Sequence, residues 1–306
     1  MIELRNKLTA SIVAFHTEPD ILSRAIARFL RSAVSGKIVV VDNSRDNALE
    51  QAALESGAEY VFTGRNIGYG RGHNIALRRF LDESVYHLVL NADVLFEPTV
   101  LDELFVFMQT NPNVGLVMPK VVYPDGSTQH LCKRIPTAFD LFTRRFLPGP
   151  LRNMASARML RYECRHLDLD QSLSAGFLSG CFMFLRMQAL RAAGLFDENI
   201  FMYMEDVDLT RRIHEHFDTV YYPYGSITHE HAGGSRTNLN LLRYHLVSTI
   251  YYFMKWGWFF DAKAARINCE IDHQQPGRYP KVSRESLEVT LREVATAMCA
   301  SPEEKC

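Results

Sequence analysis

Along this chain, short apolar runs alternate with stretches in which apolar residues recur every three to four positions. Residues 8–15, LTASIVAF, form a β-prone run that stops at His16-Thr17-Glu18. Ile21, Leu22, Ala25, Ile26, Phe29 and Leu30 then have the spacing of one helix face over 20–34. KIVVVDNS predicts a second strand, residues 46–56 a helix, and AEYVF a short strand. A glycine-rich turn, a helix over 72–83 and a strand, HLVLNAD, come next. Pro98 suits the first turn of another helix, and VGLVMPKVVY reads as a further strand. Apolar runs separated by helical segments are the signature of βαβ units and a parallel sheet. The first 122 residues therefore predict a doubly wound α/β unit.

Ligands of such sheets sit beyond the carboxyl ends of the strands. Here those ends carry His16-Thr17-Glu18, Asp42-Asn43-Ser44 and Asn91-Ala92-Asp93. Three polar clusters on one edge favour a site over three unrelated caps. The third is the most pointed, because HLVLNADVLFEP sets a carboxylate at the end of a buried run and then turns apolar again. Asn91 lies two residues before Asp93, on the same side of an extended strand.

From 123 to 171 the rhythm is lost. Within 131–165, Lys133, Arg134, Arg144, Arg145, Arg152, Arg158, Arg161 and Arg165 face only Asp140 and Glu163, interleaved with Phe139, Phe142 and Phe146. This insertion reads either as a solvated amphipathic face or as a surface for anionic lipid or a phosphorylated acceptor. SLSAGFLSGCFMFLR is strand-like, and MQALRAAG is a short helix closed by Gly194. Residues 195–217 hold the densest acids, with Glu205-Asp206-Val207-Asp208 at a predicted helix start. Acids there also serve as dipole caps, so both readings stay open. FDTVYY and YGSIT predict two strands, residues 238–260 an aromatic helix, and the chain beyond 270 a mobile tail with a helix over 284–298.

Composition narrows the class. At 47% hydrophobic and 23% charged residues the chain is globular, and a net charge of −1 argues against nucleic acid as a partner. Six scattered cysteines without a C-x-x-C pair suit a reduced, cytoplasmic setting. The first residues lack a signal-peptide core, and no run is long and apolar enough to predict a spanning helix. RNIGYGRGHN fails the dinucleotide fingerprint, because His73 or Ile75 stands where the last glycine belongs. There is no phosphate-binding P-loop, His229-Glu230-His231 is not H-E-x-x-H, and no G-x-S-x-G elbow occurs. Carboxylates remain. Asp93 suits a hard cation such as Mg2+ or Mn2+, which takes oxygen ligands and often binds through one or two carboxylates plus substrate phosphates.

Read in order, IVAFHTEPDIL, VVVDNS, RNIGYGRGHNIAL, LNADV, GFLSGCFMFLR, GLFDENIFMYMEDVDLTRRI and ITHEHAGGS resemble the family 2 glycosyltransferases, in particular their rhamnosyltransferase-like subgroup. The resemblance spans roughly residues 8–260. It implies a GT-A fold, a mostly parallel central sheet flanked by helices, with a C-terminal helical extension. It divides the chain into a nucleotide-sugar-binding half (1–122), an acceptor half (123–237) containing the basic insertion, and an extension and tail (238–306). It implies an inverting, metal-dependent transferase using a nucleotide-diphosphate sugar, with dTDP-L-rhamnose as the donor it points to. The acceptor would be a glycan or lipid-diphosphate-linked intermediate of cell-surface polysaccharide synthesis, reached from the cytoplasm with peripheral contact to an anionic membrane.

By motif, the resemblance gives donor binding to Ala14, Phe15, Glu18, Asp42, Asn66, Gly68, Asn74 and Asn91. Asp93 becomes the charged metal ligand, with His229 or His231 completing the shell and His229 preferred because it directly follows the strand. The family's metal motif is D-x-D-like, and Asn91 departs from it at the first position. Asp206 becomes the general base and Glu205 the neighbour that shapes its site. Two alternatives accompany this reading, a non-catalytic nucleotide-sugar-binding module and a sugar nucleotidyltransferase. The first needs no base such as Asp206. The second calls for a glycine-rich, cationic loop after the first strand, and HTEPDI is not one. A processive synthase would want spanning helices.

Overall fold

The structure, a computed structural model, describes residues 8–146, 156–230, 239–275 and 277–299. The strands are β1 (Leu8–Ala14), β2 (Ser35–Asp42), β3 (Glu59–Phe62), β4 (Tyr86–Leu90), β5 (Val94–Phe96), β6 (Val114–Val122), β7 (Cys132–Lys133), β8 (Leu173–Ser174), β9 (Phe177–Leu178), β10 (Phe182–Arg186) and β11 (Asp218–His229). Nine of them form one sheet in the order β3-β2-β1-β4-β10-β6-β11-β5, with β8 also on β11, while β7 and β9 pair separately. β1, β2, β3 and β4 are mutually parallel, as are β6 and β11. β10 runs antiparallel between β4 and β6, which makes the sheet mixed.

The apolar periodicity does what burial requires. Leu22, Ala25, Ile26 and Phe29 of α1 (Pro19–Leu30) are buried against one face of the sheet. So are Ala76, Leu77 and Phe80 of α3 (Tyr69–Phe80), which follows the short α2 (Glu50–Glu55). Each such Leu, Ile or Phe contributes about 1.5–3 kcal/mol when fully withdrawn from water. α4 (Pro98–Thr110) has Pro98 in its first turn, as expected, and buries Leu101, Leu104 and Phe105.

Two polar residues of β1 are also buried, and both are satisfied. Thr9 Oγ1 lies 2.9 Å from His87 Nδ1, and Ser11 Oγ lies 2.7 Å from His73 Nδ1 and 2.8 Å from His87 Nε2. Burial drives both imidazoles toward the neutral form, His87 down to about 3.

Several expectations are corrected. α3 begins at Tyr69 rather than 72, because Gly68 (φ +97°) supplies the sharp entry. FDTVYY and YGSIT are one strand, β11, with a register shift between Tyr222 and Ser226 that absorbs Pro223. HLVLNAD is not one strand. β4 ends at Leu90, Asn91-Ala92-Asp93 turns, and β5 starts at Val94 on the far side of β11. The region after 270 is docked rather than mobile through residue 299. Tyr279 Oη donates to Asp218 at 2.6 Å, the amide of Val282 donates to Tyr222 Oη, and the helix Arg284–Cys299 packs on α4.

The basic insertion folds into β7, the helix Ala138–Phe146 and the helix Ser156–Tyr162. Lys133 is buried, with its ammonium over the rings of Phe177 and Tyr162. Arg134 and Arg161 pair with Asp272, Arg158 with Asp140, and Arg165 with Glu163. Two of these cations, Arg134 and Arg161, thus share one carboxylate more than 100 residues away, while Arg158 and Arg165 pair within the insertion itself. Arg152 and the side chains of Arg144 and Arg145 lie outside the described residues.

Candidate active site

β4 delivers Asn91 to the carboxyl edge of the sheet, and the following turn carries the chain across to β5. In the antiparallel β5–β11 pair, Val94 stands opposite His229, and the amide of Glu230 donates to the carbonyl of Asp93 at 3.1 Å. That register brings the Asp93 carboxylate 3.5 Å from His229 Nε2. His229 is buried, with Gln129 braced against it. Gln129 Nε2 donates to the His229 carbonyl at 2.7 Å, and its Oε1 lies 3.2 Å from Nδ1. Burial alone would lower the His229 pKa. Asp93 and the neighbouring Cys181 outweigh it and hold the imidazole up at about 10.

The antiparallel β10 starts at the same edge, so the loop 179–181 lies beside Asn91, whose amide donates to the Cys181 carbonyl at 2.9 Å. Gly180 N–H donates to Asp206 Oδ2 at 2.9 Å. Tyr69 Oη bridges the two, 2.7 Å from the Gly180 carbonyl and 2.9 Å from the Asn91 amide oxygen. One hydroxyl hydrogen cannot serve two acceptors. Turning the Asn91 amide over lets it donate to Tyr69 while Tyr69 donates to Gly180. Burial, and then the charges of Glu205 and its neighbours, push the Tyr69 hydroxyl well up, so it stays protonated. The Tyr69 ring rests edge-on against His73, 4.5 Å between centroids.

Glu205 and Asp206 open the helix Glu205–His214 immediately after Tyr203 (φ +66°) and Met204 (φ +70°). Two consecutive left-handed non-glycine residues are strained and persist only where the surroundings hold them. Glu205 is buried, and its Oε2 has no hydrogen-bond partner. Burial and then the Asp206 charge keep its carboxyl well above the usual range. Burial also raises Asp206, opposed by the Gly180 and Val207 amides and the Lys133 charge. Burial thus lifts both carboxyls, the Asp206 charge lifts Glu205 further, and the two amides hold Asp206 back.

The residues expected to bind the donor start from the same edge at Ala14. Ala14 ends β1, and its carbonyl accepts from the Asn43 amide at 2.8 Å, while Phe15 beyond it is exposed. Glu18 is exposed at the start of α1. Asp42 is fully buried, accepting from Tyr60 Oη (2.7 Å) and the Ser44 amide (2.8 Å). Asn66 Oδ1 caps the Gly68 amide at 3.0 Å. A Cβ on Gly68 would stand 2.5 Å from the Phe201 carbonyl, which already accepts from the Tyr69 amide.

Asn74 is different. It is fully buried, and its amide is spent on the Phe196 backbone (2.9 and 3.0 Å) and Glu198 (3.0 Å). In this structure it ties the loop 195–201 to α3. Asp208 likewise faces away, toward the C-terminal helices. His231 lies outside the described residues.

Sequence reasoning passed over Tyr69, Gly180, Cys181, Gln129 and Lys133 as site residues. Their partners lie far away in the chain, as with Tyr69 and Gly180, 111 residues apart, and no local spacing signals such a contact.

Gly68→Ala is expected to destabilise the fold by about 1–3 kcal/mol, because it combines a forbidden φ with a backbone clash. Urea unfolding measures this. An unchanged midpoint would mean that the loop 66–69 and Phe201 separate freely.

The Asp93 site fits a divalent cation by its chemistry. It offers a partly exposed carboxylate, an amide two residues back, and an imidazole beside the carboxylate that would become a ligand once an arriving cation displaces its proton. Among the described residues no three His, Cys, Asp or Glu side chains form a metal-holding group, so remaining oxygens would come from a substrate diphosphate.

The mixed, mostly parallel sheet with flanking helices is a fold of the GT-A type. Solved structures share this fold. The structure of GalNAc-T7 with UDP, GalNAc and Mn2+ superposes with a TM-score of 0.54 at 13% identity, covering 97% of this chain and 58% of that one. A mycobacterial protein gives 0.52 at 14% identity, covering 82% and 74%. Residues 6–243 match the family described as "Glycosyltransferase like family 2", and the chain belongs to that family. It is 28% identical over 232 residues to an N-acetylglucosaminyl-diphospho-decaprenol L-rhamnosyltransferase of Mycobacterium tuberculosis, covering 70% of this chain and 73% of the relative. It is 27% identical over 216 residues to a low-salt glycan biosynthesis hexosyltransferase of Haloferax volcanii, covering 67% and 61%. The chain is a glycosyltransferase, and the nucleotidyltransferase and pure binding-module readings are set aside.

Proposed function

We propose that this enzyme transfers L-rhamnose, with inversion, from dTDP-L-rhamnose to a lipid-diphosphate-linked glycan acceptor. The observation that carries the reading is the link from Asp206 through Gly180 and Tyr69 to Asn91, two residues from Asp93 of the Asp93–His229 pair. It supports a reading in which Asp93 serves the leaving diphosphate and Asp206 the incoming alcohol.

Asp206 takes the proton of the acceptor hydroxyl as that oxygen bonds to the anomeric carbon. The bond from the anomeric carbon to the diphosphate breaks on the opposite face, and the nucleoside diphosphate leaves. Neutral Glu205 keeps negative charge from doubling beside the base. Tyr69 and the Gly180 amide fix where the base points. Asp93, His229 and Asn91 would hold Mg2+ or Mn2+, which when bound offsets the charge that develops on the diphosphate. The donor choice and the lipid-linked acceptor follow the resemblance and the Mycobacterium tuberculosis relative's name. A thermal-shift panel of nucleotide sugars with and without Mn2+ tests the donor. Stabilisation by another sugar nucleotide alone would overturn dTDP-rhamnose.

A lipid-linked acceptor calls for peripheral contact with the inner face of a membrane. None of the described helices is long and apolar enough to cross one. The surface that supports contact is Phe139 and Phe142 of the insertion, with Val247, Ile250, Met254, Phe259 and Phe260 near the C-terminus, all exposed. Sedimentation with vesicles containing anionic lipid at low salt is expected to carry the protein down. Protein left wholly in the supernatant would overturn the contact.

A further inference from the structure

The helix that opens with Glu205-Asp206 does not rest on the sheet alone. Asp208, two residues past the base, is fully buried. Its Oδ1 accepts from Trp256 Nε1 (2.8 Å) and lies 2.8 Å from Lys255 Nζ, while its Oδ2 accepts from Arg212 Nε (2.8 Å). Lys255 reaches on to Asp197 at 2.7 Å, which also accepts from Tyr251 Oη at 3.1 Å. One turn along, Arg211 pairs with Asp261 and stacks 3.9 Å above the Trp256 ring. Lys255, Trp256 and Asp261 all lie beyond residue 243, where the family match stops.

The same C-terminal helix, Leu239–Trp256, grips the strained turn before the base. Ser248 Oγ donates to the Met202 carbonyl at 2.8 Å, Tyr244 packs on Phe201 at 4.6 Å, and His245 packs on Tyr203 at 5.2 Å. Met204 and Val207 share a buried cluster with Tyr252 and Phe253. Strain at Tyr203 and Met204 survives only where neighbours over-determine it, and this helix is one of those neighbours.

We propose that Asp208 is a positioning residue, through which Lys255 and Trp256 of the C-terminal extension aim the Asp206 carboxylate. This rests on the reading of Asp206 as general base. Asp208 faces Lys255 and Trp256 from the extension and Arg212 on its own helix, with Arg211 and Asp261 a turn away and Asp197 sharing Lys255. Asp206 in turn faces Glu205, Tyr69 and Lys133. Without the Lys255 charge, the buried Asp208 carboxylate is under-compensated, and its field disfavours ionisation of Asp206.

The test compares Lys255→Met, Lys255→Arg and Trp256→Phe with Asp206→Asn. It measures turnover of dTDP-L-rhamnose with an N-acetylglucosaminyl-diphospho-prenol, dTDP affinity in Mn2+, and carbon-13 NMR titration of the Glu205–Asp206 carboxyls, which needs no substrate. Lys255→Met is expected to lower kcat about ten- to hundredfold with dTDP affinity within about twofold. The acid limb and the carboxyl titration should both move to higher pH, and Lys255→Arg should restore them. If Lys255→Met does not fold, Trp256→Phe carries the test, with a smaller fall in kcat at unchanged dTDP affinity. A folded variant with wild-type kcat and an unmoved carboxyl titration would overturn the proposal alone. An active Asp206→Asn would overturn the base assignment and this inference with it.

Discussion

Asp206→Asn is expected to lower kcat by about 10²–10⁴-fold while leaving dTDP affinity in Mn2+ close to wild type. The amide keeps the size of the carboxylate and its oxygen can still accept the Gly180 N–H that holds the loop 179–181, giving up the bond from the adjacent Val207 N–H, which its NH2 cannot accept. What it loses is the ability to take a proton from the acceptor hydroxyl. Burial raises the Asp206 pKa, which makes it a stronger base than an exposed aspartate and sets the acid limb of kcat/KM above the ordinary carboxylate range. Activity is lost as pH falls through that limb because the base becomes protonated. In Asp206→Asn the residual rate should show no such limb. Steady-state kinetics across pH checks both points, and turnover near wild type would remove Asp206 from the role.

The second large effect is expected at the other end of the site. Asp93→Ala should abolish cation-dependent binding of the nucleoside diphosphate, a loss on the order of a hundredfold or more in affinity. Asp93 is the carboxylate nearest His229, and Asn91 beside it is neutral, so no neighbour on the turn replaces the charge. The variant also strips His229 of a counter-charge that holds its pKa up at about 10. The imidazole then sheds its proton at a lower pH, yet a neutral imidazole without the carboxylate is a poor site for a hard cation. Calorimetry with dTDP, with and without Mn2+, measures the loss. A Kd in Mn2+ equal to wild type would show that the cation is held elsewhere.

The candidate site residues were legible in the chain because strand ends and helix starts leave local marks. Asp42, Asn91, Asp93 and His229 each stand where an apolar run stops, and Glu205-Asp206 stands where a helix begins. The charged segment 131–165 was less informative. Its excess of cations looked like a surface, but Arg134 and Arg161 both turn to Asp272, more than 100 residues on. Asp206 and Asp208 could not be told apart by letters, since both are acids in the first turn of one helix. In the structure one meets the Gly180 amide and the other meets Trp256 and Lys255.

Local chemistry alone determined most of the strands and helices of the first 122 residues, that their polar ends gather on one edge, and which carboxylates were candidates, because periodicity and chain punctuation act over a few residues. The tertiary structure decided the rest. It inserted β10 antiparallel between β4 and β6, brought Val94 opposite His229, and pressed the C-terminal helix against the turn at Tyr203 and Met204. Those contacts join residues tens to more than a hundred positions apart. They are selected by the packing of whole faces, which no short window of sequence contains.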